Sequence, residues 1–273
     1  MALRIQNNVE AFNAHRNLSH TEGGLARSME RLSSGYRINR AADDAAGLAI
    51  SERLRGQING LEQAQRNVQD AVSLVQTAEG SLTEVHAMLQ RVRELAVQYK
   101  NGSLSTADRT AIQSEVNQLA SEIERIGAST EFNGTKLLNA AQTISFQVGS
   151  EDGQTITVST VSLGNTPANG GVGTAYFALS SVQNTDISEI DVAIDNVSAT
   201  RAAFGAVQNR LEYTLNNAAI YQENLTASES RIRDVDMAAE MVNFTKLQIL
   251  QNAGVSMLAQ ANQSSQGVLS LLR

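Results

Sequence analysis

Between residues 61 and 99 the chain places apolar or aromatic side chains alternately three and four positions apart in one unbroken register. They are Leu61, Ala64, Val68, Ala71, Val75, Ala78, Leu82, Val85, Leu89, Val92, Ala96 and Tyr99. At 3.6 residues per turn this spacing gathers them on one stripe, which predicts the seam of a coiled coil or helical bundle. Ile50 and Leu54 carry the seam backwards, and Asp43 or Asp44 stands where a side-chain acceptor caps a helix start. A helix from about 45 to 99 extends about 80 Å at 1.5 Å per residue, so it needs partners along its length.

Asn101-Gly102 closes that helix, and Ser105 with Asp108 forms the pattern of a capping box for the next. Ile112, Val116, Leu119, Ile123 and Ile126 then predict a second helix folded back antiparallel on the first. Beyond an Asn133-Gly134 turn the period changes to two. Ile144, Phe146 and Val148, then Ile156 and Val158, alternate with polar residues around a turn at Gly149 to Gly153, the signature of a β-hairpin. Residues 159 to 186 are rich in Ser, Thr, Asn and Gly and suit irregular surface with room for one more short strand.

Sevenfold spacing returns with Ile190, Val197, Phe204, Leu211, Ala218 and Leu225, the alternate line being interrupted by Arg201, Gln208 and Gln222. Polar seam positions of this kind set the register of a third long bundle helix. The two chain ends are separate amphipathic segments. Leu18, Leu25, Met29 and Leu32 mark one; Met237, Met241, Phe244, Leu247, Leu250, Leu258, Ala261, Val268, Leu269 and Leu272 mark the other. Pairing with each other is their simplest arrangement. The fold expected is mainly α: an elongated antiparallel helical bundle with a small β-hairpin region and paired terminal helices.

Composition narrows the function. One proline, Pro167, lies among the 273 residues, so long helices are permitted on both sides of it. The absence of cysteine excludes disulfides, Cys-ligated metal and thiol catalysis. No apolar run is long enough for a membrane span or a signal-peptide core, so signal-peptide secretion is not expected. The net charge of −7 argues against nucleic acid as a partner. Six acidic residues (Glu151, Asp152, Asp186, Glu189, Asp191 and Asp195) and no Lys or Arg fall between 137 and 200, so nearly all the excess charge lies there.

Candidate chemistry is sparse. His15 and His20 miss the helical ligand spacing, and His86 stands alone; all three fit solvated helix positions. Gly170-Gly171-Val172-Gly173 lacks the Lys-Ser/Thr of a phosphate loop, and Asp43-Asp44 fits helix capping. No cofactor, metal or catalytic residue is expected. Two readings remain from pattern alone: assembly through the apolar ends, or a bundle that buries everything internally.

Particular segments add more. Arg31 to Ile50 (RLSSGYRINRAADDAAGLAI), Leu89 to Gln98 (LQRVRELAVQ) and Thr130 to Leu138 (TEFNGTKLL) closely resemble bacterial flagellin. So do SRIRDVDMAAEM from Ser230, LAQAN from Leu258 and VLSLLR from Val268. The resemblance covers roughly residues 1 to 150 and 187 to 273, in the family's order.

That resemblance implies a structural subunit, not an enzyme, which self-assembles into the filament for swimming after type III export. It implies residues 1–33 with 237–273 as an inner-tube coiled coil, 34–44 and 233–236 as connecting spokes, and 45–232 as an outer-tube bundle. The hairpin and an exposed loop at about 140–186 belong to that bundle, and the short middle implies a minimal form without large outer domains. Inner-tube assembly then falls to Leu18, Leu25, Met29, Leu32, Met241, Phe244, Leu258, Leu269 and Leu272. The bundle seam falls to Leu61, Val68, Val75, Leu82, Leu89, Val197, Phe204 and Leu211. Implied partners are other copies of the chain, an export chaperone on the C-terminal segment, flagellar cap and hook-junction proteins, and the animal Toll-like receptor for flagellin. Arg91, Leu95 and Glu115 match the family's receptor-recognition positions. The alternative is a hook-filament junction protein, which shares related ends.

Overall fold

The structure, a computed structural model, describes residues 8–140, 142–163 and 186–271, with only the backbone at 186 and 264–271. It is mainly α. The order is α1 (Val9–Ser34), α2 (Ala45–Tyr99), α3 (Thr106–Ser129), β1 (Glu131–Phe132), β2 (Thr135–Lys136), β3 (Thr143–Gln147), β4 (Thr155–Ser159), α4 (Asp186–Arg233) and α5 (Met237–Leu271). The chain divides into two compact units, Met1–Gly56 with Asn224–Arg273, and Gln57–Glu223. The glycine-rich segment 170–173 and the irregular stretch 164–185 lie outside the described residues.

In the unit made of Gln57–Glu223, α2, α3 and α4 share one core. Eleven of the twelve predicted seam residues of α2 are buried, and Tyr99 is half-buried. Those from Val68 onward meet Ile112, Val116, Ala120 and Ile123 of α3 and Ile190, Val197, Phe204 and Leu211 of α4. Ser81 facing Thr130 (3.2 Å) and Arg109 stacked 5.5 Å from the Tyr99 ring fix α3 antiparallel to α2. Two of the three interruptions in α4's heptads are polar ties to α2: Gln65 donates to Gln222 (2.7 Å), Gln222 donates to Glu62 (3.1 Å), and Arg201 lies 3.8 Å from Glu79, while Gln208 donates to Glu212 within α4 (3.1 Å). With Arg93–Asp191 at 2.6 Å, they hold one antiparallel register.

The predicted capping box is present. Ser105 Oγ donates to Asp108 Oδ2 (2.7 Å), while Asp108 N–H donates to Ser105 Oγ (3.2 Å). The Asn133-Gly134 turn, with φ 48° and 78°, joins the two-residue strands β1 and β2, which the alternation rule did not reach. The β3–β4 hairpin has the predicted faces: Ile144 pairs with Val158 and Phe146 with Ile156. Its turn packs on α2, where a side chain at Gly60 would meet Ser150 Cβ at 2.9 Å.

In the other unit α1 and α5 pair antiparallel, as expected for the two ends. Asn8 donates to the Ala261 carbonyl (2.9 Å) while its own Oδ1 caps α1 by accepting from Ala11 N–H (3.0 Å). Inward positions on α1 are Ala11, Ala14, Leu18, Thr21, Leu25, Ser28 and Leu32; on α5 they are Glu240, Phe244, Leu247, Gln251, Gly254, Leu258 and Ala261. Both lists alternate threes and fours, the coiled-coil period. The backward extension of the α2 seam needs correction. Leu54 is turned inward as expected, but Ile50 is exposed, and the inward line continues through Ser51 and Gly47, small residues that an apolar count passes over.

Candidate assembly site

Three places in the fold carry the residues singled out above. The first is the break between α1 and α2, set beside the break between α4 and α5. Gly35 ends α1 in the left-handed region (φ 76°), its N–H closing on Arg31 O at 2.9 Å. A side chain there strains the backbone, which is why glycine follows Ser33-Ser34. The chain then runs as a short antiparallel bridge against residues after α4: Tyr36 pairs with Asp234, Arg37 N–H donates to Arg233 O (2.6 Å), and Val235 N–H donates to Gly35 O (3.0 Å). Arg233 stacks 4.8 Å from the Tyr36 ring and reaches Glu52 Oε1 at 2.6 Å.

The adjacent aspartates divide the work. Asp44 Oδ1 accepts from Gly47 N–H (2.9 Å) and caps α2. Asp43 Oδ2 instead accepts from Asn39 and Arg40 N–H (3.2 and 3.1 Å), tightening the loop before it. The Arg40 N–H bond, foremost, holds the Asp43 carboxyl below the ordinary aspartate value against an opposing desolvation, and the Asn39 N–H bond and the charges of Arg31 and Arg40 add to it. Gly47 has no space for a side chain: a Cβ would collide with Asp44 Oδ2 and lie 2.8 Å from Ile38 Cδ1, Ile38 being buried. The arrangement fixes how two helix ends leave one junction.

The second place is the α1–α5 pair. Its interface contains a buried polar contact that apolar spacing does not disclose. Ser28 Oγ donates to Glu240 Oε1 at 2.5 Å, with Asn243 also donating to that oxygen (3.3 Å) and Arg31 3.8 Å from Oε2. The available signal was Ser28's place in the heptad of α1. Leu18, Leu25, Leu32, Phe244 and Leu258 face the partner helix, whereas Met29 and Met241 are about half exposed and point elsewhere. Leu272 and the side chain of Leu269 lie outside the described residues.

Apart from that seam, α5 presents almost no charge. Glu240 and Lys246 are its only ionisable residues between Met237 and Leu271, and Glu240 is turned inward. Met241, Val242, Ile249, Leu250, Val255 and Met257 are exposed, Val242 at 71% and Met257 at 64%. A groove of about 660 Å³ runs between the helices, lined by Leu18, Thr21, Leu250, Gly254 and Met257 among others. Outer residues of α1, by contrast, include Glu10, His15, Arg16, His20, Glu22 and Arg27. A helix apolar on several faces belongs inside a larger packing.

The third place is the α2–α3 face. Arg91 bonds Glu115 through Nε and Nη2 (3.0 and 2.9 Å) and Glu94 through Nη1 (3.1 Å). Those carboxylates, Glu115 foremost, raise the Arg91 pKa. Arg91 and Glu115 are thus together on the surface, but Leu95 is not with them: it is 2% exposed, inside the core. Among the described residues no group of His, Cys, Asp and Glu suits a metal ion, and no helix is long and apolar enough to cross a membrane.

Comparison with known proteins bears on the same residues. The Bacterial flagellin N-terminal helical region matches residues 5–143, and the Bacterial flagellin C-terminal helical region matches residues 187–272. The chain is 48% identical to the flagellin of Bacillus subtilis (strain 168), over 99% of this chain and 100% of that one. It is 49% identical to the flagellin of Halalkalibacterium halodurans, over 98% and 99%. The crystal structure of Bacillus cereus flagellin shares 31% identity, covering 56% of this chain and 88% of that one at a TM-score of 0.46. The two matched regions take in the five described helices, save the first residue of α4, and leave only residues 144–186 between them. The chain belongs to the bacterial flagellin family, in the form without large outer domains.

Proposed function

We propose that the α1–α5 pair is the part of this flagellin whose packing is completed only by neighbouring subunits. Flagellin is a structural protein, not an enzyme; it self-assembles into the extracellular bacterial flagellar filament that serves motility. The observation that carries the finer reading is α5, with two ionisable residues in 35 and several exposed apolar side chains. Left in water, that surface costs free energy that contact with other copies removes. On this reading residues 1–33 and 237–273 build the inner tube, 34–44 and 233–236 are the spokes, and 45–232 is the outer tube. Met29 and Met241, turned away from the intramolecular seam, then serve contacts between subunits.

The same surface favours handling by partners before assembly. An export chaperone that covers the C-terminal segment shields α5, and the type III route accepts the ends unpaired, so ordering is deferred until the subunit joins the filament. Cap and hook-junction proteins meet the same ends. Recognition by the animal Toll-like receptor for flagellin falls to Arg91 and Glu115, with Leu95 holding α2 in place from within. Replacing Arg91 with Ala then lowers signalling in a receptor reporter assay, and an unchanged response rejects that assignment.

Purified chain seeded with filament fragments tests the assembly reading. Deleting 1–33 or 240–273 abolishes elongation and leaves the circular dichroism of the α2–α4 bundle intact; elongation unaffected by both deletions overturns it. The hook-filament junction alternative is not favoured, because the curated relatives matched end to end are themselves flagellins.

A further inference from the structure

The chain contains four Asn-Gly pairs: Asn59-Gly60, Asn101-Gly102, Asn133-Gly134 and Asn169-Gly170. The last lies outside the described residues. A glycine after asparagine leaves its amide nitrogen unhindered toward the asparagine side chain, so each pair is chemically able to cyclise. The fold separates the other three. Asn59 and Gly60 are inside α2, where backbone hydrogen bonding fixes both dihedrals and Ser150 crowds Gly60. Asn133 and Gly134 are locked at positive φ by the β1–β2 pairing, which a Lys136–Glu131 ion pair at 2.6 Å reinforces.

Asn101-Gly102 has none of these restraints. It follows the end of α2, and Asn101, Gly102 and Ser103 are all exposed. The Gly102 N–H donates to nothing, and the Asn101 side-chain nitrogen has no partner, among the described residues. One bond does form at the reacting group: Ser103 N–H donates to Asn101 Oδ1 at 3.2 Å. Asn101 N–H donates back to Gln98 O (3.0 Å), and on the far side of the pair the turn is held by long contacts to the Asn101 carbonyl, from Leu104 N–H (3.5 Å) and Arg109 Nη2 (3.4 Å).

We propose that Asn101 is a site of spontaneous deamidation in the folded protein, with the Ser103 N–H polarising the amide that reacts. The Gly102 nitrogen gives its proton to water or hydroxide and bonds to Asn101 Cγ. Negative charge then develops on Oδ1, where the Ser103 N–H already points, the logic of an oxyanion donor. The oxyanion collapses, the Cγ–Nδ2 bond breaks as water returns a proton to the departing nitrogen, ammonia leaves, and a five-membered imide remains. Water opens the imide at either carbonyl to give aspartate or isoaspartate. No oxidant or enzyme is needed. The product adds one negative charge at the carbonyl end of α2, where the helix dipole disfavours it. The isoaspartate form also adds a backbone methylene within the α2–α3 turn.

Trypsin places the four pairs in separate peptides: 56–66, 101–109, 126–136 and 137–201. The full-length protein is incubated in alkaline buffer, either folded or unfolded in guanidinium. Digestion under mildly acidic conditions then allows amide-to-acid conversion to be read by mass in each peptide. In the folded protein Asn101 converts at least about tenfold faster than Asn59 or Asn133, whose backbones are locally protected. In guanidinium the three rates converge. Equal rates in the folded protein, or conversion at Asn101 as slow as at Asn133, overturn the proposal. Ser103→Pro removes the polarising N–H, and Asn101 then converts more slowly when folded but not when unfolded. An unchanged folded rate in that variant, with circular dichroism intact, rejects the role given to Ser103.

Discussion

Gly47 and the two aspartates before it show how much a single side chain decides. Alanine at Gly47 drives a methyl into Asp44, whose carboxylate caps α2, and toward Ile38 Cδ1, so cap and packing are lost together. Gly47→Ala is predicted to cost roughly 1–3 kcal/mol, as overpacking does, measured by thermal unfolding of the full chain. Asp43 gives a pH prediction. Its folded pKa lies below the unfolded one, so its contribution is fully present above the ordinary carboxylate range and is lost as pH falls through the folded value. Asp108, held low first by the Ser105 hydroxyl and then by the Ser105 N–H, has the same sign. Amide hydrogen exchange at Asn39, Arg40 and Ser105 should therefore lose protection on acidification, once corrected for intrinsic rate; retained protection at acid pH contradicts the assignment. Sequence spacing placed a cap at Asp43 or Asp44 but did not separate their roles, because both occupy plausible capping positions and only the loop's path distinguishes them.

Helices and the hairpin were legible because each buries one regular face. The α2 seam came directly from its sevens, and the α3 capping box from Ser105 and Asp108. The register failed at Ile50, where the apolar residue is exposed and Ser51 is fully buried. Helix ends at a junction are packed by backbone and small side chains, so apolarity ceases to report burial there. Polar positions gave the complementary lesson. Arg201 and Gln222 interrupt the α4 heptads and yet bond across to α2, while Ser28 and Glu240 meet inside the α1–α5 seam. Ser28→Ala leaves Glu240 short of its closest donor and is predicted to destabilise the α1–α5 pair by about 1–3 kcal/mol. Leu211, fully buried among α2–α4 side chains, is predicted to cost about 2–5 kcal/mol on truncation to Ala. Denaturant unfolding of both variants checks these values.

At the scale of the whole molecule, the charge of −7 is chiefly that of residues 137 to 200, while α5 is nearly uncharged. A chain that keeps ionisable groups off one long helix, and leaves that helix apolar on its outward faces, has a surface suited to burial in a polymer. Sequence spacing showed that the ends are amphipathic; it did not show which apolar residues remain outside, because an α1–α5 seam and a contact between subunits use the same residue types. The structure separates them, assigning Phe244 to the seam and Ile249 to the outward face. Ile249→Asp therefore tests the central claim most directly, since it leaves the α1–α5 seam untouched and charges only the exposed face that we propose neighbouring copies cover. Electron microscopy of seeded growth is predicted to show that this variant fails to elongate filament fragments while its circular dichroism matches that of the unaltered chain; elongation at the unaltered rate contradicts the account.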